Sequence, residues 1–89
     1  MTLPTFYAII IATVKFDISV KWRIIDEFGV AFLKYDDSGN LVMDFTWSDK
    51  HSFFNYILTF GDSAEIVLPP EYRQEFGALA KRIYSKYKT

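Results

Sequence analysis

The succession of apolar patterns along this chain predicts an α+β fold. It is a ferredoxin-like βαββαβ sandwich, one antiparallel sheet with helices on a single face, extended by a C-terminal helix. Three observations carry the prediction. A period-two strand pattern over Ala12 to Ser19 gives way to a helical period. Two strand-like runs flank the turn sequence Asp37-Ser38-Gly39-Asn40. A second helix-then-strand pair ends at Pro69-Pro70. Two split βαβ units in this order build the sandwich. The 89 residues leave room for one domain, divided here into a leader over 1–12 and the folded unit over 13–89.

Over Thr13 to Ser19, Val14, Phe16 and Ile18 alternate with Thr13, Lys15, Asp17 and Ser19, the mark of a half-buried strand. Val20, Ile24, Ile25 and Phe28 then fall on one helical face, with Ser19 as the expected N-cap and Gly29 as the C-terminal stop. Val30 to Asp36 and Leu41 to Trp47 form the expected hairpin, in which Leu41, Met43, Phe45 and Trp47 share a face. Ser48 or Asp49 caps a second helix that turns Phe53, Phe54, Ile57 and Leu58 inward and closes at Gly61. Ala64 to Leu68 is a short strand with Ile66 and Leu68 on one face. The third helix opens at Pro69-Pro70, where proline is tolerated in the first turn. Its apolar stripe is Tyr72, Phe76, Leu79, Ala80, Ile83 and Tyr87. Glu71 and Glu75 lie near its start and Lys81, Arg82, Lys86 and Lys88 near its end, a distribution that suits the helix dipole.

Composition narrows the function classes. The absence of cysteine excludes disulfides, thiolate metal sites and a cysteine nucleophile, and the single histidine excludes a site needing two imidazoles. A net charge of −1 is unlike that of a stand-alone nucleic-acid binder. The longest apolar stretch, Phe6 to Ala12, is far short of the ~20 residues of a membrane helix. It also lacks the flanks of a signal peptide, so no membrane association and a cytoplasmic location are expected.

No catalytic constellation stands out. His51 sits alone in the first turn of the second helix, and Asp36 and Asp37 serve the turn before Ser38-Gly39 better than a metal. No catalytic residue, metal or cofactor is expected. The same strand order builds RNA-recognition domains, which stack bases on rings of the open sheet face. Here that face is expected to show Lys15, Asp17, Asp44 and Thr46, with a cross-strand pair between Lys15 and Asp44. Trp22, Tyr7 and Tyr56 fall off the main stripes, and the run Leu3 to Ile11 is apolar, uncharged and β-branched. Such a run either lengthens the first strand or lies against a partner. Phe6, Tyr7, Ile9, Ile11, Trp22 and Arg23 are therefore the candidate contact residues, since Trp, Tyr and Arg are enriched at binding hot spots.

The second half, Phe53-Phe54-Asn55-Tyr56-Ile57-Leu58-Thr59-Phe60-Gly61 leading into Ala64-Glu65-Ile66-Val67-Leu68-Pro69-Pro70-Glu71-Tyr72-Arg73, resembles the C-terminal extension of bacterial WYL-domain transcriptional regulators. The helix ending in leucine, a small polar residue, an aromatic and glycine carries the likeness, with the strand reaching proline and the arginine-bearing turn that follows. It covers about 13–87; residues 1–12 depart from it. The resemblance implies a piece of a longer regulator, with a helix-turn-helix and a WYL domain as partners. Neither is represented in this sequence, which has no Trp-Tyr-Leu run. It further implies a non-enzymatic regulatory role that couples effector sensing to DNA binding by the helix-turn-helix, through interdomain contacts or a homodimer. Contact with DNA would come only through that other domain, and the effector could be a small molecule or a nucleic acid. The alternative expectation is a sensor that itself binds a small molecule or nucleotide.

Overall fold

The computed structural model describes residues 9–88. Four strands form one antiparallel sheet, β1 (Ile10–Phe16), β2 (Lys34–Tyr35), β3 (Leu41–Trp47) and β4 (Ala64–Leu68), in the order β2-β3-β1-β4. With α1 (Lys21–Phe28) and α2 (Lys50–Leu58) between the strands, this is the expected ferredoxin-like arrangement, and α3 (Pro70–Tyr87) follows as the added helix.

The core sits between the sheet and the helices. Ile10, Ala12, Val14 and Phe16 of β1, Leu41, Met43 and Phe45 of β3, and Ile66 of β4 are buried against Ile24, Phe53, Phe54, Ile57 and Phe60. Period two in the strands and helical period in α1 and α2 bring these side chains to one layer. Phe45 is its hub, with Phe16, Phe28, Trp47, Phe53 and Tyr56 at ring-centroid distances of 5.3–6.3 Å. The tilted and edge-on geometries are those that ring quadrupoles favour.

Several expectations need correction. β1 runs from Ile10 to Phe16 rather than from Thr13 to Ser19, so Ile10, Ile11 and Ala12 pair with Trp47, Thr46 and Phe45. The described end of the apolar leader thus lengthens the first strand. After Phe16 the chain turns into a short 3₁₀ helix, Ile18–Val20, which leaves Ile18 exposed instead of inward. Ser19, expected as the cap of α1, lies inside this 3₁₀ turn, which Asp17 caps by accepting from the Ser19 amide; α1 itself starts after Val20 without a side-chain cap. β2 has two residues where a seven-residue strand was expected, and Val30 and Phe32 are exposed. An irregularity in the β1–β4 pairing opposes Thr13 to Leu68 but Val14 to Ile66. The extra residue flips side-chain parity, so Leu68 leaves the face of Ile66 and is exposed. Gly29 ends α1 at φ 79° and ψ 175°, a conformation open essentially to glycine alone.

The α2 cap is as read. The Asp49 carboxylate accepts from the Ser52 amide at 3.0 Å and from the Ser52 hydroxyl at 2.7 Å, bonds that hold its pKa below the ordinary value. Asp49→Ala is expected to lower the unfolding free energy by about 1 kcal/mol, read by urea denaturation; an unchanged midpoint would refute the cap.

Candidate functional site

The two broad faces of the sheet have different chemistry. On the open face, Thr13 donates to Asp44 at 2.6 Å, and Lys34 Nζ lies 3.6 Å from the same carboxylate. These two groups pull the Asp44 pKa down, the Thr13 hydrogen bond most. Lys15 pairs with Glu65 at 3.7 Å, and Arg73 reaches Glu65 from α3 while donating to the Ile66 carbonyl at 3.1 Å. The expected Lys15–Asp44 pair is replaced because the β1–β4 register sets Lys15 opposite Glu65. The strand parity that places Lys15 and Thr13 here also puts Ile11 on this face, 67% exposed; Ile9, 56% exposed, precedes the strand. Leu68 joins Ile11 through the irregular pairing.

Trp22 is 73% exposed, but on α1, which packs on the opposite side of the sheet. Lys21 Nζ lies 5.9 Å from its ring and 5.6 Å from that of Tyr35. Arg23, its neighbour, is half-buried and bridges α1 to the end of α2. Its guanidinium lies 3.7 Å from the Phe60 ring centroid, donates to the Thr59 hydroxyl at 2.6 Å and carbonyl at 3.2 Å, and pairs with Glu27 at 3.0 Å. Tyr56 donates its hydroxyl to the other Glu27 oxygen, and its ring stacks on Trp47 at 4.9 Å. The Tyr56 bond, aided by Arg23, lowers the Glu27 pKa, while burial and the adjacent carboxylate drive the Tyr56 pKa well above its usual value. The sequence reading left Tyr56 unplaced and Arg23 at the surface. Their partners lie 29 and 36 residues away, and no local pattern reports such pairings.

Of the six candidate contact residues, Ile11 lies on the open sheet face, Ile9 is exposed just before β1, and Trp22 lies on the helical side. Arg23 is committed to the α1–α2 network. Phe6 and Tyr7 lie outside the described residues.

A third surface was not singled out from the sequence. α2 and α3 are joined by Phe54 against Tyr72 and Phe76, with ring centroids 6.4 and 5.3 Å apart, and by Lys50–Glu75 at 2.6 Å. Beside that contact lies a groove of about 370 Å³ between Lys50, His51 and Asn55 on α2 and Glu75, Ala78, Leu79 and Arg82 on α3. The last seven residues of α3 carry half-buried Ile83 and exposed Tyr84 and Tyr87. The expected stripe is therefore covered only through Leu79.

His51 is exposed, and the Asp36 carboxylate is used by the turn, accepting from the Ser38 and Asn40 amides at 2.8 and 3.0 Å. Among the described residues no group of three or more His, Asp or Glu could hold a metal ion, and no helix is long and apolar enough to cross a membrane. The shifted pKa values all trace to fixed hydrogen bonds, ion pairs or burial.

The fold is that of a small ferredoxin-like α+β domain with several exposed apolar side chains, Ile11, Trp22 and Leu68 among them. The chain belongs to the WCX domain family, whose model matches residues 8–84. A WCX domain is the C-terminal extension of WYL-domain regulators, a regulatory accessory family not known as catalytic. No curated protein matches the chain.

Proposed function

We propose that this domain is a non-enzymatic accessory unit of a bacterial transcriptional regulator. In this reading it couples effector sensing by its neighbours to DNA binding by an N-terminal helix-turn-helix, through contacts with a WYL domain or a second protomer in the cytoplasm. The family match over residues 8–84 carries the reading. The exposed Ile9, Ile11 and Trp22 supply apolar surface for such contacts. Coupling requires that the domain meet its neighbour differently in the two regulatory states, because a contact of equal strength in both shifts no population.

The test is an NMR titration of the isotope-labelled 89-residue chain with the WYL domain of a regulator of this family. Resonances of Ile9, Ile11 and Trp22 are expected to move, and to move differently once effector is added. Unmoved resonances at all three positions would overturn the assignment of these surfaces. The alternative, a sensor in its own right, predicts stabilisation by a small molecule, about 2.7 kcal/mol at a hundredfold excess over Kd.

A further inference from the structure

The groove between α2 and α3 has a lining that divides by chemistry. Part of it is apolar and fixed. Phe54 is buried and held edge-on by Tyr72 and Phe76, and Leu79 packs on the core. Ala78, exposed and short, leaves room on the α3 wall. The Lys50–Glu75 pair at 2.6 Å ties the two walls together and cancels both charges. His51 and Asn55 from α2 and Arg82 from α3 supply the remaining polar side chains. Among the described residues, none of these three side chains makes an ion pair or a hydrogen bond within the chain. Arg82 has no acid within one helical turn, since its neighbours there are Ala78, Leu79, Ser85 and Lys86. It therefore lacks the partner that exposed helix charges find at i±3 or i±4. Glu75 is about 10 Å away along the helix axis. The lining thus carries the net positive charge of Arg82, on a chain whose own net charge is −1.

We propose that this groove is a binding site for a small amphipathic carboxylate. The apolar body of the ligand lies on Phe54, Ala78 and Leu79, and its carboxylate is held by Arg82. A volume of about 370 Å³ falls within the roughly 300–1,000 Å³ of small-molecule sites, whose apolar linings carry a few polar groups. The planar guanidinium can meet a carboxylate with two parallel N–H···O bonds, a geometry an ammonium cannot offer. On the opposite wall the His51 ring has an N–H to donate in either protonation state, and the Asn55 amide both donates and accepts. The charge of the ligand follows from the lining. A cation would meet Arg82, a multiply charged anion would meet the Glu75 carboxylate, and inorganic phosphate would leave the apolar lining uncovered. A single negative charge on an apolar body complements the whole groove. The inference rests on the second reading above, a sensor in its own right, and deepens it by naming the pocket and the class of ligand.

The test is an NMR titration of the 89-residue chain with phenylacetate at neutral pH. Phenylacetamide serves as the uncharged analogue, and inorganic phosphate as an anion without an apolar body. Saturable shifts are expected at His51, Asn55, Ala78, Leu79 and Arg82, with the millimolar Kd of a fragment of about ten non-hydrogen atoms. Each control is expected to bind about tenfold more weakly or worse. Arg82→Gln is expected to raise the Kd for phenylacetate about tenfold. Lys86→Gln removes an exposed cation that does not line the groove and should leave the Kd unchanged. Ala78→Phe fills the groove from an exposed position and should abolish binding. Circular dichroism checks that each variant folds. Shifts that do not saturate, an amide or a phosphate that binds as well as phenylacetate, or equal effects of Arg82→Gln and Lys86→Gln would overturn the proposal. Saturable shifts confined to another surface would overturn this site and leave the sensor reading in place. A metabolite screen without any thermal stabilisation would overturn the sensor reading itself. None of these results would remove the accessory-domain reading, which the titration with a WYL domain tests separately.

Discussion

Phe45→Ala is expected to lower the unfolding free energy by about 3–5 kcal/mol. The residue is 4% exposed and its ring contacts five others, from β1, α1, β3 and α2. Truncation removes the transfer energy of a buried ring, and the rigid neighbours cannot collapse into the space because each is held by further aromatic contacts. A chain of this length has roughly 4–13 kcal/mol of stability in total at 0.05–0.15 kcal/mol per residue. The variant therefore stands near the threshold of folding, and a urea melt should show its midpoint displaced strongly toward zero denaturant. Phe32→Ala is the control, since that ring is 64% exposed and a change within about 0.5 kcal/mol is expected. Equal effects at the two positions would contradict the core described above.

The second large effect is expected at the α1–α2 network. Arg23→Ala removes the guanidinium from the Phe60 ring, from both Thr59 oxygens and from Glu27. Charged hydrogen bonds contribute roughly 1.5–3 kcal/mol each when well shielded. The Arg23 side chain is 37% exposed, so solvent screening reduces the total to about 1–2 kcal/mol. Glu27 gives the network a pH signature. Its folded pKa lies below the ordinary 4.5, first because Tyr56 donates to it. On acidification the unfolded chain binds the proton first. The contribution is therefore complete above about pH 4.5 and declines as the pH falls from there through the folded value. Glu27→Gln should flatten that part of the stability–pH curve. Asp36, Asp44, Asp49 and Glu65, also held low, should preserve a remaining slope. A Glu27→Gln curve parallel to the parent's below pH 4.5 would refute the coupling.

These predictions depend unequally on what is legible in the linear chain. The Leu41–Trp47 alternation, the Asp49 cap and the apolar face of α2 are local, and each appears where expected. The irregular step in β4 is not local. It comes from matching β4 to β1, and it reverses Leu68 without leaving a sign in the Ala64–Leu68 pattern. β2 fails for a similar reason. Val30 and Phe32 have strand-like chemistry, but only Lys34 and Tyr35 come into register with β3.

The sequence by itself determined the element order, the fold class and the core-facing positions of β3 and α2. Hydrophobic period and turn chemistry act between near neighbours and are written into the chain. The tertiary structure alone decided which charges meet. Lys15 is matched to Glu65, Arg23 reaches Thr59, Tyr56 meets Glu27, and a groove is left between α2 and α3. Those partners come together only when register and helix packing have brought distant segments within a few ångströms, a distance that sequence spacing does not encode.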